Sequence, residues 1–421
     1  MLLPIPALLN AIVGVFSLLL FGASLALLAH AYRRYRQLLT QLQMQQVRVR
    51  ERTTGGGVAV EKYDNRASHE WAGRRALADK SVSVPLALGV GLLLFTFFGG
   101  ELVRLSFRSG QDEPKQLHSA ITRNVRGPAG ENLHVEVFGR DDAPTLVFTH
   151  GWSIDSTEWY YAKRQLAGQF RLIVWDLPGL GASRGPSDGD YSLERMAGDL
   201  EAVVETVANH KPVVLVGHSI GGMINLTYCR LFPRELGRRV TGIVQVDTSY
   251  TNPVTTTKNA RQSEALQKPV GEPLLHAMSA LSPMVRILNW LSYRNGTAQL
   301  LNAKSGFAGS ETWGQVDLVA RYGYKSSPDV VARGTLAMFR WDAKAELAHI
   351  SVPVLVLVGQ QDTTTLPSAS VYMREHIPRA QLEAISPSAH YGLLEQNGRY
   401  NDAISRFAAD CLKSGMSDDR S

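Results

Sequence analysis

Two long apolar runs without a charge open the chain, and a different pattern follows them. The first run covers residues 2–29 (LLPIPALLNAIVGVFSLLLFGASLALLA) and the second Ser81–Gly100 (SVSVPLALGVGLLLFTFFGG). A bilayer core about 30 Å thick needs about 20 helical residues, so each run predicts a membrane-spanning helix. Pro85 falls in the first turn of the second, where proline costs little. The competing readings are a pair of buried core helices and, for the first run, a secretory signal with Ala29-His30-Ala31 as its cleavage site. A signal needs a basic start and an apolar stretch of only about 7–15 residues. Here no basic residue precedes Arg33.

From residue 119 onward short apolar runs alternate with helical stretches. Leu133–Phe138, Thr145–Thr149, Leu172–Trp175, Val213–Val216, Ile243–Val246, Val354–Val358 and Leu382–Ile385 read as strands. Helices are predicted near Thr157–Ala167, Leu193–Asn209, Ile220–Leu231 and Pro367–His376. Strands apolar throughout, alternating with helices, argue for an α/β fold with a mostly parallel sheet covered on both faces. Residues 250–342 interrupt the alternation with prolines, helical pieces and large apolar side chains, and read as a helical insertion between two strands. The expected organisation is a transmembrane helix in 1–31, a basic loop in 32–80, a second transmembrane helix in 81–100 and a linker in 101–118. A core in 119–249 and 343–412 is then split by a cap in 250–342, with a disordered tail in 413–421.

Charge refines this picture. The chain of 421 residues carries 44 basic and 38 acidic side chains, but residues 31–81 hold 11 basic and 5 acidic ones, while the 33 and 33 of residues 82–421 cancel. The basicity belongs to one loop, so the bulk of the chain lacks the basic face of a nucleic-acid binder. The positive-inside rule places loop 32–80 in the cytoplasm and residues 101–421 on the far side, periplasmic in a bacterium. The loop reads as a Gln-rich helix (Gln37–Arg52), a break at Gly55-Gly56-Gly57 and a polar stretch. It is expected to act as a solvated tether attracted to anionic lipid headgroups. Cys229 and Cys411 cannot build a disulfide framework or a four-cysteine zinc site. Asn295-Gly296-Thr297 matches a glycosylation acceptor.

The strongest chemical signal is Gly217-His218-Ser219-Ile220-Gly221, directly after a strand and directly before a helix. This is the context a nucleophilic serine requires: a tight turn exposes the side chain at a helix N-terminus, and the glycines leave room for the turn. His150-Gly151-Trp152 follows the strand TLVFT, where the backbone N–H of Trp152 can converge with that of Ile220 on an oxyanion. Serine needs a base, and the base an orienting carboxylate. Of His276, His349, His376 and His390, only His390 lies in a loop after the last strand. Asp362, beyond the strand VLVLV, is the preferred carboxylate and Asp247, ending IVQV, its rival. Asp176 precedes the serine and reads as a structural carboxylate closing the turn Leu177–Gly181. Gly179-Leu180-Gly181 lacks the third glycine of a dinucleotide loop.

The segments H-G-W, D-L-P-G-L-G-A-S (Asp176–Ser183), G-H-S-I-G-G, G-Q-Q-D and S-A-H, in this order, resemble the α/β-hydrolase superfamily over about residues 119–412. The resemblance implies an eight-stranded, mostly parallel sheet with a helical cap between strands six and seven. It implies Ser219 as nucleophile, His390 as base, Asp362 as acid, and Trp152 and Ile220 as oxyanion donors. Serine at the nucleophile position separates the chain from the dehalogenases and epoxide hydrolases of this fold, which use Asp. The expected protein is thus a membrane-anchored serine hydrolase that cleaves a small-molecule or lipid ester with an apolar acyl group, with no metal or organic cofactor required. The alternatives are thioester, amide or carbon–carbon hydrolysis, or a cofactor-free haloperoxidase-like reaction, on the same residues. A non-catalytic binding protein and a membrane protein whose loop 32–80 recruits partners are the others.

Overall fold

The computed structural model describes residues 6–53, 65–208 and 211–418. Its strands are β1 (Ile121–Arg126), β2 (Asn132–Phe138), β3 (Thr145–Thr149), β4 (Arg171–Trp175), β5 (Val213–His218), β6 (Val240–Val246), β7 (Val354–Gly359) and β8 (Ala380–Ile385). They form one sheet in the order β1-β2-β4-β3-β5-β6-β7-β8. β2 runs antiparallel to both neighbours and the remaining pairs are parallel. β3, β4, β5 and β7 are buried at every position, as strands covered on both faces must be.

In chain order the helices are α1 (Pro6–Thr53), α2 (Asn65–Ala78), α3 (Lys80–Arg104), α4 (Tyr160–Leu166), α5 (Leu193–Val207), α6 (Ile220–Leu231), α7 (Ala260–Leu266), α8 (Glu272–Ala280), α9 (Ser282–Arg294), α10 (Thr297–Gly306), α11 (Trp313–Lys325), α12 (Pro328–Met338), α13 (Pro367–His376), α14 (Gly392–Glu395) and α15 (Asn397–Asp418). α5 shows why they form. Ser192 caps it by accepting the Arg195 N–H, and Leu193, Met196, Ala197, Leu200, Val203, Val204 and Val207 line its buried stripe. Two apolar cores result, one on each face of the sheet. Leu215, Ile243 and Val356 point into the first, Phe148, Val216 and Val244 into the second.

Several elements differ from the sequence reading. β1 escaped it because only Ile121 and Val125 are apolar in an edge strand held by one partner. α1 continues without interruption to Thr53, and the polar stretch after it folds as α2, whose Ala72 and Ala76 are buried. The Gly55–Gly57 break, Lys62 and Asn209 lie outside the described residues. The linker is docked: Asp112 accepts the Tyr160 hydroxyl at 2.6 Å and Glu113 accepts Thr312 Oγ1 at 2.5 Å. α15 runs on to Asp418, so residues 413–418 are helical where a disordered tail was expected. Asn295 is fully buried and donates to Ser17 Oγ at 2.8 Å, which excludes it as a glycosylation acceptor in the folded chain.

One buried carboxyl sets a pH dependence. Among the described residues, Asp199 of α5 has no hydrogen-bond partner for either oxygen. Burial, and then the charge of buried Glu131, push its carboxyl up from 3.8 to about 8. Between these values the unfolded chain releases this proton and the folded chain keeps it, so stability falls as pH rises through that window. Asp199→Asn removes the penalty. Melts from pH 5 to 8 should show the variant gaining on the native chain as pH rises, by roughly 4 kcal/mol across that range. An unchanged gap across that range would mean that the carboxyl ionises freely.

Candidate active site

The site forms where the parallel strands end. β5 finishes at His218 and α6 begins at Ile220, leaving Ser219 alone in the turn at φ 53° and ψ −118°. That backbone region is costly for a side-chain-bearing residue and persists only when its surroundings impose it. Here the Ser219 N–H donates to the Val246 carbonyl at 3.0 Å, while its own carbonyl accepts the Gly222 N–H at 3.0 Å and the Thr248 hydroxyl at 2.6 Å. The flanking glycines permit the close approach. A Cβ on Gly217 would stand 2.6 Å from Asn225 Nδ2, and one on Gly221 2.9 Å from the Thr149 carbonyl carbon. Ser219 is half-buried, and among the described residues its Oγ has no hydrogen-bond partner, so it is free to rotate within a cavity of about 850 Å³, mouth included. Ile220, first in α6, has no intrahelical acceptor for its N–H.

His390 lies between β8 and α14, buried, and lines the same cavity. Its Nδ1 is 2.9 Å from Asp362 Oδ2. The Asp362 carboxylate is itself held by its own loop: Oδ1 accepts the N–H groups of Thr364 and Thr365 at 2.7 and 3.0 Å, and Oδ2 accepts the Thr365 hydroxyl at 2.7 Å. Such a turn, with Asp accepting from residues two and three further on, is a local structure that Asp-Thr-Thr-Thr favours. Asp247 makes no contact with the imidazole among the described residues. It accepts the Gly359 N–H at 2.7 Å and pairs with the Tyr400 hydroxyl at 3.0 Å. Full burial, and then the charge of Asp362, raise the Asp247 carboxyl well above its ordinary range.

The loop after β3 supplies the opposite wall. Gly151, Trp152 and Ser153 all line the cavity. Ser153 sits at φ 63°, and the Gly151 N–H donates to buried Glu158 at 2.8 Å. The Trp152 side chain reaches away to α12, donating to the Val331 carbonyl at 3.0 Å and lying against Gly334. His150 is a structural group: its Nε2 accepts the Leu177 N–H at 2.9 Å. Asp176 accepts the Ser156 and Ala182 N–H groups, both at 2.9 Å, and closes the turn after β4.

Two contributors were not legible in the sequence. Glu158, fully buried, has Oε1 2.7 Å from His218 Nδ1, although out of line for a hydrogen bond. His218 Nε2 donates to the His390 carbonyl at 3.0 Å, and the two rings lie 4.9 Å apart. Glu158 and His218 thus brace the loop that carries His390. Glu158 sits in a helix-forming stretch with no motif around it, and its role arises only from the packing. Tyr400, joining Asp247 to Ser388, is the second.

Comparison with known proteins places this arrangement. The model of the alpha/beta hydrolase family matches residues 146–403. The chain belongs to that family. A putative carbamate hydrolase RutD of Stutzerimonas stutzeri is 24% identical over 282 residues, 65% of this chain and 95% of that one. A pimeloyl-[acyl-carrier protein] methyl ester esterase of Nitrosomonas europaea is 28% identical over 265 residues, 62% of this chain and 92% of that one. Among solved structures, a thermophilic esterase from Thermogutta terrifontis superimposes with a TM-score of 0.57 at 23% identity, over 70% of this chain and all of that one. The fold expected from the motifs is therefore present, with its eight-stranded, mostly parallel sheet. The hydrolase has esterase-like relatives, and its enzyme class is that of an esterase-like serine hydrolase.

Proposed function

We propose that this hydrolase cleaves a neutral carboxylic ester with an apolar acyl group, with Ser219, His390 and Asp362 as its catalytic triad. The observation that carries the reading is the 2.9 Å contact of His390 Nδ1 with Asp362, beside a strained serine that opens into the same cavity. Asp362 holds the imidazole so that Nε2 faces the cavity as acceptor. His390 takes the Ser219 proton as Oγ attacks the carbonyl carbon, and Asp362 stabilises the imidazolium that forms. The N–H groups of Trp152 and Ile220 receive the oxyanion, an interaction worth about 10²–10³ in rate per donor. The imidazolium returns the proton to the departing alcohol. Water, deprotonated by the same ring, then releases the acid from Ser219.

Cavity lining supports the substrate class. Met223, Val254, Val331, Met338 and Phe339 supply apolar walls, and among the described residues no Asp, Glu, Lys or Arg lines it. A charged acyl group would find no counter-ion there. We assign the helical segment between β6 and β7, residues 250–342, as the cap over this cavity. Two helices of the chain, Ile12–Gln45 and Lys80–Arg104, are long and apolar enough to cross a membrane. In our reading they anchor the enzyme, with loop 32–80 on the cytoplasmic side and the hydrolase domain on the other. A fluorophosphonate probe should label the native chain on the peptide carrying Ser219, and labelling should vanish in Ser219→Ala. Label found on another residue, or none, would reject the triad.

A further inference from the structure

The cap is joined to the apolar N-terminal helices as well as to the sheet. α1 and α3 pair antiparallel: Phe21 meets the Phe97 ring at 5.9 Å, and Gly89 lets Leu28 approach, its absent Cβ standing 2.9 Å from Leu28 Cγ. Both helices then run into α9 of the cap through small residues. A Cβ on Gly14 would lie 2.7 Å from Leu288 Cβ, and one on Gly99 2.8 Å from the Asn295 carbonyl oxygen. Arg294 Nε donates to the Phe97 carbonyl at 3.0 Å, and the Phe97 ring meets Trp290 at 6.1 Å. Small residues at helix contacts are how membrane helices approach closely.

Depth follows from the pairing. Phe21 opposite Phe97 puts Glu101, where the apolar run of α3 closes, at the level of about residue 17 of α1. α1 continues past that level beside α9, yet Ile12, Val15 and Phe16 there remain exposed, Phe16 by 53%. α9 at the same level exposes Pro283, Ile287 and Trp290 on one stripe with Met284 beside it, Ile287 by 60% and Trp290 by 38%. Water is a poor solvent for such a surface, and it is continuous with helices long enough to cross a bilayer. The charged groups of α9 suit a headgroup boundary: Arg286 donates to the carbonyls of Tyr324 and Lys325, and Arg294 lies over the Phe98 ring. The opposite face of α9 packs Val285 into the cluster that holds Val254, Val331 and Phe339, three walls of the cavity.

We infer that α9 and the outer end of α1 lie in the headgroup–acyl boundary of the bilayer, and that the ester reaching Ser219 is a membrane-dissolved one whose acyl chain enters through the cap. The substrate half rests on the ester-cleaving function proposed above. The placement of α9 does not depend on which side of the membrane carries the hydrolase domain.

The full chain, reconstituted in phosphatidylcholine vesicles, tests both halves. Hydrolysis of 4-methylumbelliferyl oleate dissolved in the vesicles is compared with that of water-soluble p-nitrophenyl acetate. Ile287→Asp should lower the first by about tenfold or more, because a charge must be drawn into the boundary, and leave the second unchanged. Equal losses on both esters, or no loss on either, would overturn the entry route. Lipids brominated high on the acyl chain should quench a component of tryptophan fluorescence that disappears in Trp290→Phe. Quenching that is the same in both proteins would overturn the placement, as would covalent dimers trapped across Ile287 by a cysteine pair, since a second copy would then cover this face. A native chain that hydrolyses neither ester, or Ser219→Ala hydrolysing both, would reject the ester-cleaving function and the substrate half with it, while quenching still decides where α9 lies.

Discussion

Ser219→Ala should lower kcat/KM for p-nitrophenyl butyrate by about 10⁴–10⁶-fold, to the residue left by oxyanion donors and binding alone. The size follows from what the alanine removes. In the proposed mechanism no acyl-enzyme forms without Oγ, and the imidazole has only water to activate. His390→Ala should cost about as much, and the double variant little more, because in the proposed triad the two side chains act as one unit. The turn survives the loss of Oγ, since the hydrogen bonds that impose φ 53° come from backbone groups and Thr248. The melting temperature of Ser219→Ala should therefore stay near that of the native chain. Turnover above about 1% in either single variant would remove the residue from the chemistry.

The second large effect separates two buried carboxyls. Asp362→Asn should reduce kcat by about 10³–10⁴-fold with KM little changed, because the amide can hold the ring only in the wrong tautomer. Asp247→Asn should cost less than about tenfold in kcat. Burial raises the Asp247 carboxyl well above its ordinary range, and an amide can still accept the Gly359 N–H and face the Tyr400 hydroxyl. The kinetic comparison, with circular dichroism as a check on folding, decides the matter. If Asp247→Asn proved the more damaging to kcat, the acid role would pass to Asp247.

Much of this was written in short local patterns. A parallel sheet follows from strands such as VVLV and VLVLV, which are too apolar to face water on either side. The serine turn follows from glycines two positions away on each side, because only glycine permits the approach of Thr149 and Asn225. The Asp362 loop is equally local, since its carboxylate is satisfied within three residues. Edge strand β1 was hidden for the complementary reason: one paired side and one core face require only two apolar residues.

What the chain order alone determined is therefore the kind of fold, the strained serine and a short set of candidate partners, because each depends on side chains a few positions apart. Tertiary packing decided the rest. It brought His390 and not His276 to Asp362, placed Glu158 behind His218, and buried Asn295 against Ser17. It also set α9 against the apolar helices, joining residues such as Gly14 and Leu288. Contacts between residues so far apart along the chain are selected by shape and by the cost of leaving buried polar groups unpaired, and neither leaves a periodic mark on the sequence.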